Sequence, residues 1–201
     1  MCIRDRYTPF ASLPDQAVVD NSITFKSGSK TFNLAAMKVA WFHSTNPEYF
    51  EKVQEEHLAQ TNTLGLVAHH AALRGGVAWL DELLVYLDGN HDFVEQYIRE
   101  NIPQITYTKA QGTYLAWLDV TALAERIGAQ EKAAAASETE KEQVSPETVV
   151  VRWLVENAGV YTNAGSSYGP GGENHLRMNL ATSRQLVKLA LDNIAEAISS
   201  L

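Results

Sequence analysis

Lys30 is the residue whose setting best suits covalent chemistry. It follows an apolar segment at 23–25 that predicts a short strand, and small residues then bring it out on a tight loop. A lysine amine becomes a nucleophile where burial or a nearby cation lowers its pKa, and it then forms a Schiff base with an aldehyde. Ser27 and Ser29 add hydroxyl and backbone donors, and Lys38 adds a positive charge. The pattern favours an aldehyde that carries a phosphate, although an isolated SxSK segment otherwise indicates only an exposed loop lysine.

Arg177 is the second candidate, in a predicted strand over 175–181 that follows a glycine-rich loop. An arginine fork matches a carboxylate in two hydrogen bonds and stays charged at any working pH. A lone arginine in a strand otherwise indicates a surface ion pair. The glycine spacing at 165–172 is not GxGxxG, so a dinucleotide site is not indicated.

The histidines do not predict a metal site. His69 and His70 are adjacent, and neighbouring positions on a helix point about 100° apart, so both cannot ligate one ion. His57 and His91 have no ligand-forming residues at suitable spacing around them.

The elements that would position Lys30 are strands and helices in the first half of the chain. The apolar run 38–45 predicts a strand that returns from the loop into a sheet covered on both faces. Asn46, with Pro47 after it, predicts the start of a helix that continues to Leu58. Helical periodicity fills 63–101, with an interruption at 75–76 and a new start after 88–90.

The second half alternates strand and helix signals around Arg177. Strands are predicted at 105–107, 113–118 and 160–162, and the aromatic residues of 113–118 are expected in the core. Residues 129–144 are alanine-rich and charged, which predicts a solvated helix or a mobile insertion. Ser145 predicts the cap of another helix, and an amphipathic helix is expected over 183–201.

Composition narrows the class of protein. The chain has 201 residues, 45% of them hydrophobic, and a net charge of −8, which argues against nucleic-acid and anionic-membrane partners. Cys2 is the only cysteine, so an internal disulfide is impossible and a reducing, cytoplasmic setting is expected. No apolar run approaches the roughly 18 residues of a membrane span.

Three segments together resemble one enzyme family. Residues 27–35 (SGSKTFNLA) are similar to the lysine loop of the fold-type I pyridoxal phosphate (PLP) enzymes, in the class I/II aminotransferase family. This loop and residues 112–119 (GTYLAWLD) are closest to the cystathionine beta-lyase (C–S lyase) branch of the family. Residues 168–179 (YGPGG, then LRMN) are similar to the loop and strand with which the family presents an arginine to the substrate α-carboxylate. The resemblance begins near Tyr7, so the chain is expected to be the C-terminal half of such an enzyme.

The resemblance implies specific roles. Lys30 would be the catalytic lysine that forms the Schiff base with PLP, and Ser27 would contact the cofactor phosphate. Ser29 and Lys38 are further candidates for cofactor binding, although the family usually has an arginine where Lys38 stands, and a lysine cannot make the two-pronged contact. Arg177 would bind the α-carboxylate of an amino-acid substrate.

The implied fold is α/β in three parts. Residues 1–62 would belong to a PLP-binding large domain with a mixed or parallel sheet, 63–101 would link the domains, and 102–201 would form a small α/β domain with a low-complexity insertion at 129–144. The full-length form is expected to be a cytoplasmic homodimer.

Three functions stay open. The first is a PLP-dependent C–S beta-lyase acting on sulfur amino acids, and the second is an aminotransferase that uses the same residues. The third is an inactive fragment or binding domain, because the family's ring-stacking and pyridine-pairing groups lie upstream of the resembling segments. Asp15 and Asp20 match no family motif and are expected to be surface or capping residues.

Overall fold

A computed structural model describes residues 8–56 and 61–201. The chain divides into two compact units, and the division falls between Leu84 and Val85. The first unit carries Lys30 and the second carries Arg177.

The first unit contains helix α1 (Gln16–Asp20) and an antiparallel pair of strands, β1 (Thr24–Lys26) and β2 (Trp41–His43). The connecting residues 27–40 are called the lysine loop here. They reverse the direction of the chain, so the two strands pair antiparallel. Strand β2 is shorter than the predicted 38–45. Lys38 adopts the left-handed conformation (φ 54°) after a one-turn 3-10 helix (Ala35–Met37), and this conformation cannot extend a strand. Trp41 and His43 are exposed, so the expected burial on both faces is wrong.

Helices α2 (Pro47–Glu55) and α3 (Thr63–Gly75) begin at asparagine caps. The Asn46 side chain accepts hydrogen bonds from the N–H groups of Glu48 and Tyr49, and Asn62 caps α3 in the same way. The start of α2 is therefore confirmed, whereas its predicted continuation to Leu58 falls outside the described residues.

Gly65 lets α3 lie close to the lysine loop. A Cβ atom at this position would lie 2.5 Å from Val39 Cγ2 and 2.7 Å from the Met37 carbonyl oxygen. The Asn62 side chain also donates to that carbonyl, at 3.3 Å. A side chain at residue 65 would therefore displace the end of the loop.

Helix α4 (Val77–Asn101) is continuous through the predicted restart at 88–90. Gly89 costs about 1 kcal/mol in a helix interior relative to alanine. Tertiary contacts offset that cost: the Arg184 guanidinium covers Gly89, and the fully buried Asn90 donates to the carbonyls of Leu180 and Thr182 at 2.9 and 3.1 Å. The predicted interruption at 75–76 is confirmed.

The second unit is built on a four-stranded antiparallel sheet of order β3-β4-β6-β5. Its strands are β3 (Thr106–Tyr107), β4 (Leu115–Asp119), β5 (Asn163–Ala164) and β6 (His175–Asn179). One face of β4 and β6 is buried, and the other presents partly exposed residues that include Trp117 and Arg177. The alternation follows from the two-residue period of a strand.

Four helices complete the second unit: α5 (Thr121–Arg126), α6 (Ala129–Glu140), α7 (Pro146–Ala158) and α8 (Arg184–Ser199). They contribute to one core with the buried face of the sheet and the C-terminal part of α4. The apolar stripe predicted for α8 is buried at Val187, Leu191, Ile194 and Ile198, whereas Leu201 is exposed.

Residues 129–140 form an ordered helix. Ala129 and Ala133 of α6 are buried in the core, and Glu140 accepts two hydrogen bonds from Arg152 of α7, at 2.5 and 2.9 Å. The helical alternative is therefore observed for this segment, which packs on α7.

The strand predicted at 160–162 is absent from the described part of the chain. Gly159 adopts the left-handed conformation (φ 64°), and the Val160 N–H donates back to the Leu154 carbonyl. This arrangement is a glycine helix cap. Because Val160 completes the end of α7, the short strand β5 begins only at Asn163.

Residues 165–172, here called the glycine loop, are closed at their base by two glycines. A Cβ atom at Gly165 would lie 2.3 Å from the Gly172 carbonyl oxygen, and a Cβ atom at Gly172 would lie 2.0 Å from that of Gly165. The two backbones therefore touch, and neither position has room for a side chain.

The mixed α/β class is confirmed. All strand pairs in residues 8–56 and 61–201 are antiparallel, so the described residues contain no parallel sheet. None of the helices described is long and apolar enough to cross a membrane.

Candidate functional site

Ser27 closes the turn that carries Lys30. Its hydroxyl donates to the Val39 carbonyl at 2.7 Å and accepts from the Ser29 N–H at 3.1 Å. The two serine oxygens are 2.6 Å apart. Because the single Ser27 proton is used on Val39, Ser29 must be the donor between the two hydroxyls.

Backbone hydrogen bonds hold the turn on both sides of Lys30. The Phe32 N–H donates to the Gly28 carbonyl and the Leu34 N–H to the Ser29 carbonyl, both at 2.9 Å. Lys30 is therefore fixed at its backbone while its side chain is exposed.

The lysine loop is rich in positive charge. Three lysines and no Asp or Glu occur between Asn21 and Pro47. Lys30 and Lys38 are both exposed, and the ion pairs of the described residues include neither of them. An anion would therefore find two cations that no carboxylate of residues 8–56 and 61–201 neutralises.

His69 of α3 lies behind the loop. Its Nδ1 atom is 3.0 Å from the Gly65 carbonyl oxygen, so Nδ1 carries the proton, and Nε2 is a buried acceptor without a partner among the described residues. A Cβ atom at Gly28 would lie 3.1 Å from the His69 ring. His69 is thus a packed histidine under the turn. The described residues contain no group of three or more side chains suited to a metal ion.

Arg177 of β6 is held by two side chains to which the sequence patterns assigned no role. Its Nη2 atom donates to the Asn163 side-chain oxygen at 3.2 Å, and its guanidinium carbon lies 4.3 Å from the centre of the Tyr168 ring. The ion pairs of the described residues do not include Arg177. Asn163 lies opposite Arg177 in the pairing of β5 with β6, a relationship that no sequence signal indicated.

Trp117 lies beside Arg177 rather than in the core, so the expectation of a core aromatic is wrong here. Its ring stacks on His175 with centroids 5.6 Å apart, and Tyr168 approaches edge-on at 6.0 Å. The reason is the strand register: Ala116 and Leu118 point into the core, so Trp117 between them points out.

Asp119 lies on the same face of the sheet as Trp117 and Arg177, but its carboxylate is already hydrogen-bonded to Thr121. Its carboxylate accepts from the Thr121 N–H at 2.9 Å and the Thr121 hydroxyl at 2.6 Å. Burial raises the pKa of Asp119, but the two Thr121 hydrogen bonds and the nearby His175 outweigh it and hold the pKa below its usual value.

The structure therefore places the predicted residues in two groups. Ser27 and Ser29 are hydrogen-bonded to each other, and Lys30 is the next residue along the chain. Lys38 directly precedes Val39, whose carbonyl accepts from Ser27. Arg177 lies in the second unit with its own supporting residues.

Comparison with known proteins places this chain in a family of enzymes. Residues 7–194 match the family model of aminotransferase class I and II. The chain belongs to this family.

Individual relatives point to one branch. The chain is 32% identical over 195 residues to a Mycobacterium tuberculosis protein named "Putative cystathionine beta-lyase", covering 96% of this chain and 46% of the relative. It is 29% identical over 198 residues to the cystathionine beta-lyase PatB of Bacillus subtilis, with the same coverage. Among solved structures, the PLP-bound C-S lyase of Staphylococcus hominis matches with a TM-score of 0.70 and 26% identity, over 89% of this chain and 42% of that one. The chain thus spans about half the length of the relatives that it matches.

Proposed function

We propose that this chain carries the Schiff-base lysine and the substrate-binding arginine of a PLP-dependent C–S beta-lyase that acts on sulfur amino acids. The names of the relatives support the choice of the lyase branch. The observation that carries the proposal is Lys30 itself: an exposed amine without an ion-pair partner among the described residues, whose backbone is fixed by the Ser27 turn.

The lysine loop fits PLP by the chemistry of its donors. PLP has an aldehyde, which needs an amine, and a phosphate, which needs cations and hydrogen-bond donors. Lys30 offers the amine, and Lys38 offers a cation in a segment without acidic residues. The hydroxyl protons of Ser27 and Ser29 are used within the turn, on Val39 and on Ser27, so each serine would have to rotate its hydroxyl to donate to the phosphate.

Lys30 and Arg177 each have a defined task in the proposed reaction. When bound, PLP supplies the electron sink that makes the substrate Cα proton removable. Arg177 binds the α-carboxylate and thereby orients the substrate. The Lys30 amine takes the Cα proton, and the Cβ–S bond breaks with its electron pair leaving on sulfur as a thiolate. Water then releases pyruvate and ammonia from the remaining carbon skeleton.

The same residues serve an aminotransferase, which is the second candidate function. In that reaction Lys30 delivers the proton to a different carbon instead of allowing the Cβ–S bond to break. The family model, named for aminotransferases, supports it. The third candidate is an inactive fragment or binding domain, since the chain spans 46% of its relatives. We propose a cytoplasmic location without nucleic-acid or membrane partners, on the net charge of −8 and the single cysteine. We also propose that the full-length form is a homodimer, as the family resemblance implies.

Reduction with borohydride after incubation with PLP tests the lysine. Peptide mass mapping should find a pyridoxyl group on Lys30 and little on the other lysines. Lys30→Ala should abolish this label, whereas Lys132→Ala, which removes an exposed lysine of the second unit, should leave it unchanged. A label spread evenly over surface lysines would overturn the proposal.

Product analysis with cystathionine then separates the three candidates. Thiol and pyruvate in equal amounts support the lyase. Transfer of the amino group to an added keto acid, without thiol release, supports the aminotransferase. A chain labelled at Lys30 that carries out neither reaction is the inactive fragment.

A further inference from the structure

We propose that Trp117, with Tyr168 and His175, forms a wall that contacts the sulfur substituent of the substrate and selects apolar thioethers. These three residues are called the aromatic wall below. The inference rests on the proposed function in one respect: Arg177 must be the site of the substrate carboxylate.

The strand register puts the wall within reach of that carboxylate. Trp117 of β4 lies directly opposite Arg177 of β6. Residues opposite each other in an antiparallel pair have Cβ atoms about 4.5–5.5 Å apart and point to the same face. A ligand held at the Arg177 guanidinium therefore has the Trp117 indole as its neighbour along the sheet.

Contacts on two sides fix the orientation of the indole. His175, two residues before Arg177 on the same strand, stacks on Trp117 at an interplanar angle of 20°. Tyr168 approaches the indole edge-on and simultaneously lies under the Arg177 guanidinium. The carboxylate site and the wall therefore share Tyr168 and form one connected group.

The exposure of the wall is consistent with a binding role. Trp117 and His175 are partly exposed, and Tyr168 is 48% exposed. None of the three belongs to the hydrophobic core of the second unit. Asp119, the acid on this face, is engaged by Thr121 and does not neutralise Arg177.

The chemistry of the wall decides which substrates it favours. Divalent sulfur and aromatic groups gain from contact with an indole, whereas a carboxylate end group meets the negative ring face and loses hydration. The wall therefore favours cysteine derivatives whose sulfur carries an alkyl or aryl group over those whose sulfur substituent ends in a carboxylate alone.

Binding to the full 201-residue chain tests the inference without requiring turnover. The ligands are S-benzyl-L-cysteine and L-alanine, which share the amino-acid head group, and the readout is the ratio of their dissociation constants by NMR titration. The wild-type chain should bind the benzyl compound about two- to tenfold more tightly. Trp117→Ala should bring the ratio close to one and Trp117→Phe should keep part of it, while Trp41→Phe in the first unit should leave it unchanged.

Two further results separate the inference from the proposed function. Arg177→Gln should weaken the binding of both ligands. If this variant binds both ligands as well as the wild-type chain does, or if the wild-type chain binds neither, then Arg177 does not bind the carboxylate and the proposal of the aromatic wall fails as well. If Arg177→Gln weakens both but Trp117→Ala, still folded by circular dichroism, keeps the preference, only the wall is wrong.

Discussion

The guanidinium of Arg177 lies over the ring of Tyr168, with 4.3 Å between the guanidinium carbon and the ring centre. A cation above an aromatic face is attracted by the ring's quadrupole without losing its charge. A carboxylate partner would hold the guanidinium as well but would neutralise it. Tyr168 and Asn163 therefore orient Arg177 and leave it able to bind an anion.

Removal of the Tyr168 ring should weaken this anion site. Because a cation–π contact is worth about 0.5–2 kcal/mol, Tyr168→Ala should weaken L-alanine binding by about two- to thirtyfold, and Tyr168→Phe should retain most of the affinity. NMR titration gives the dissociation constants. Tyr161→Ala is the control, since Tyr161 is 73% exposed and the hydrogen bond and the cation–π contact of Arg177 are made with Asn163 and Tyr168. Equal losses in the Phe and Ala variants would show that the hydroxyl, and not the ring, matters.

Loss of the Ser27 hydroxyl should loosen the turn around Lys30. Ser27→Ala removes the bond to Val39, at a cost of about 0.5–1.5 kcal/mol, and the acceptor for Ser29. Hydrogen exchange of the Phe32 and Leu34 amides should become faster, because their bonds to the carbonyls of Gly28 and Ser29 close the same turn.

Ser29→Ala is the matched control for this variant. It keeps the Ser27 bond to Val39 and should change the exchange rates less. The same exchange rates in both variants would contradict the assignment of Ser27 as the residue that holds the turn.

A methyl group at residue 65 should destabilise the first unit. In Gly65→Ala the new Cβ would lie 2.5 Å from Val39 Cγ2, and overpacking of this kind costs about 1–3 kcal/mol. Gly75→Ala on the same helix meets no atom within 4 Å and should be neutral or stabilising by up to about 1 kcal/mol. Urea unfolding of the two variants checks the difference, and a Gly65→Ala chain as stable as Gly75→Ala would refute the close approach of α3 to the loop.

The stability of the second unit should fall above pH 10. Burial and the hydrogen bond to Asp192 (2.6 Å) raise the pKa of Tyr97 to about 12, against about 10 in the unfolded chain. Between these values the unfolded chain loses a proton that the folded chain keeps. The raised pKa of Tyr97 therefore contributes fully to the free energy of unfolding below pH 10, and this contribution declines as the pH rises towards 12.

Tyr97→Phe isolates this effect. The variant lacks the ionising group, so its unfolding free energy should decline less between pH 10 and 12 than that of the wild-type chain. Tyr161→Phe, at an exposed position, should behave as wild type. Parallel curves for Tyr97→Phe and wild type would contradict the predicted linkage.

Local signals predicted the helices well because their causes are local. Asn46 with Pro47 marked the start of α2, Ser145 marked α7, and the glycines at 75–76 separated α3 from α4. Each of these signals acts through capping or backbone conformation within a few residues. The α/β class and the family likewise followed from short motifs around Lys30 and Arg177.

The predictions from sequence were wrong where residues far apart in the chain determine the local structure. Gly89 does not break α4, because Arg184, almost a hundred positions later, covers it. Trp117 faces Arg177 instead of the core, because strand register assigns alternate residues to opposite faces. Asn163 and Tyr168 support Arg177 only through pairing and folding of the glycine loop, which the sequence does not reveal. The domain limits at 62 and 101, the insertion at 129–144 and the roles of Ser27, Ser29, Lys30, Lys38 and Arg177 stay predictions.

The contact between Gly165 and Gly172 has a consequence for how this protein can diversify. Each glycine leaves no space for a side chain at the other, so the two ends of the glycine loop are fixed as a pair. Between them, Tyr168 contacts Arg177, and Gly169 and Gly171 have positive φ, so these three positions are tied to the arginine or to the backbone conformation of the loop. Variation within the loop is therefore expected first at the exposed Ser167 and Pro170.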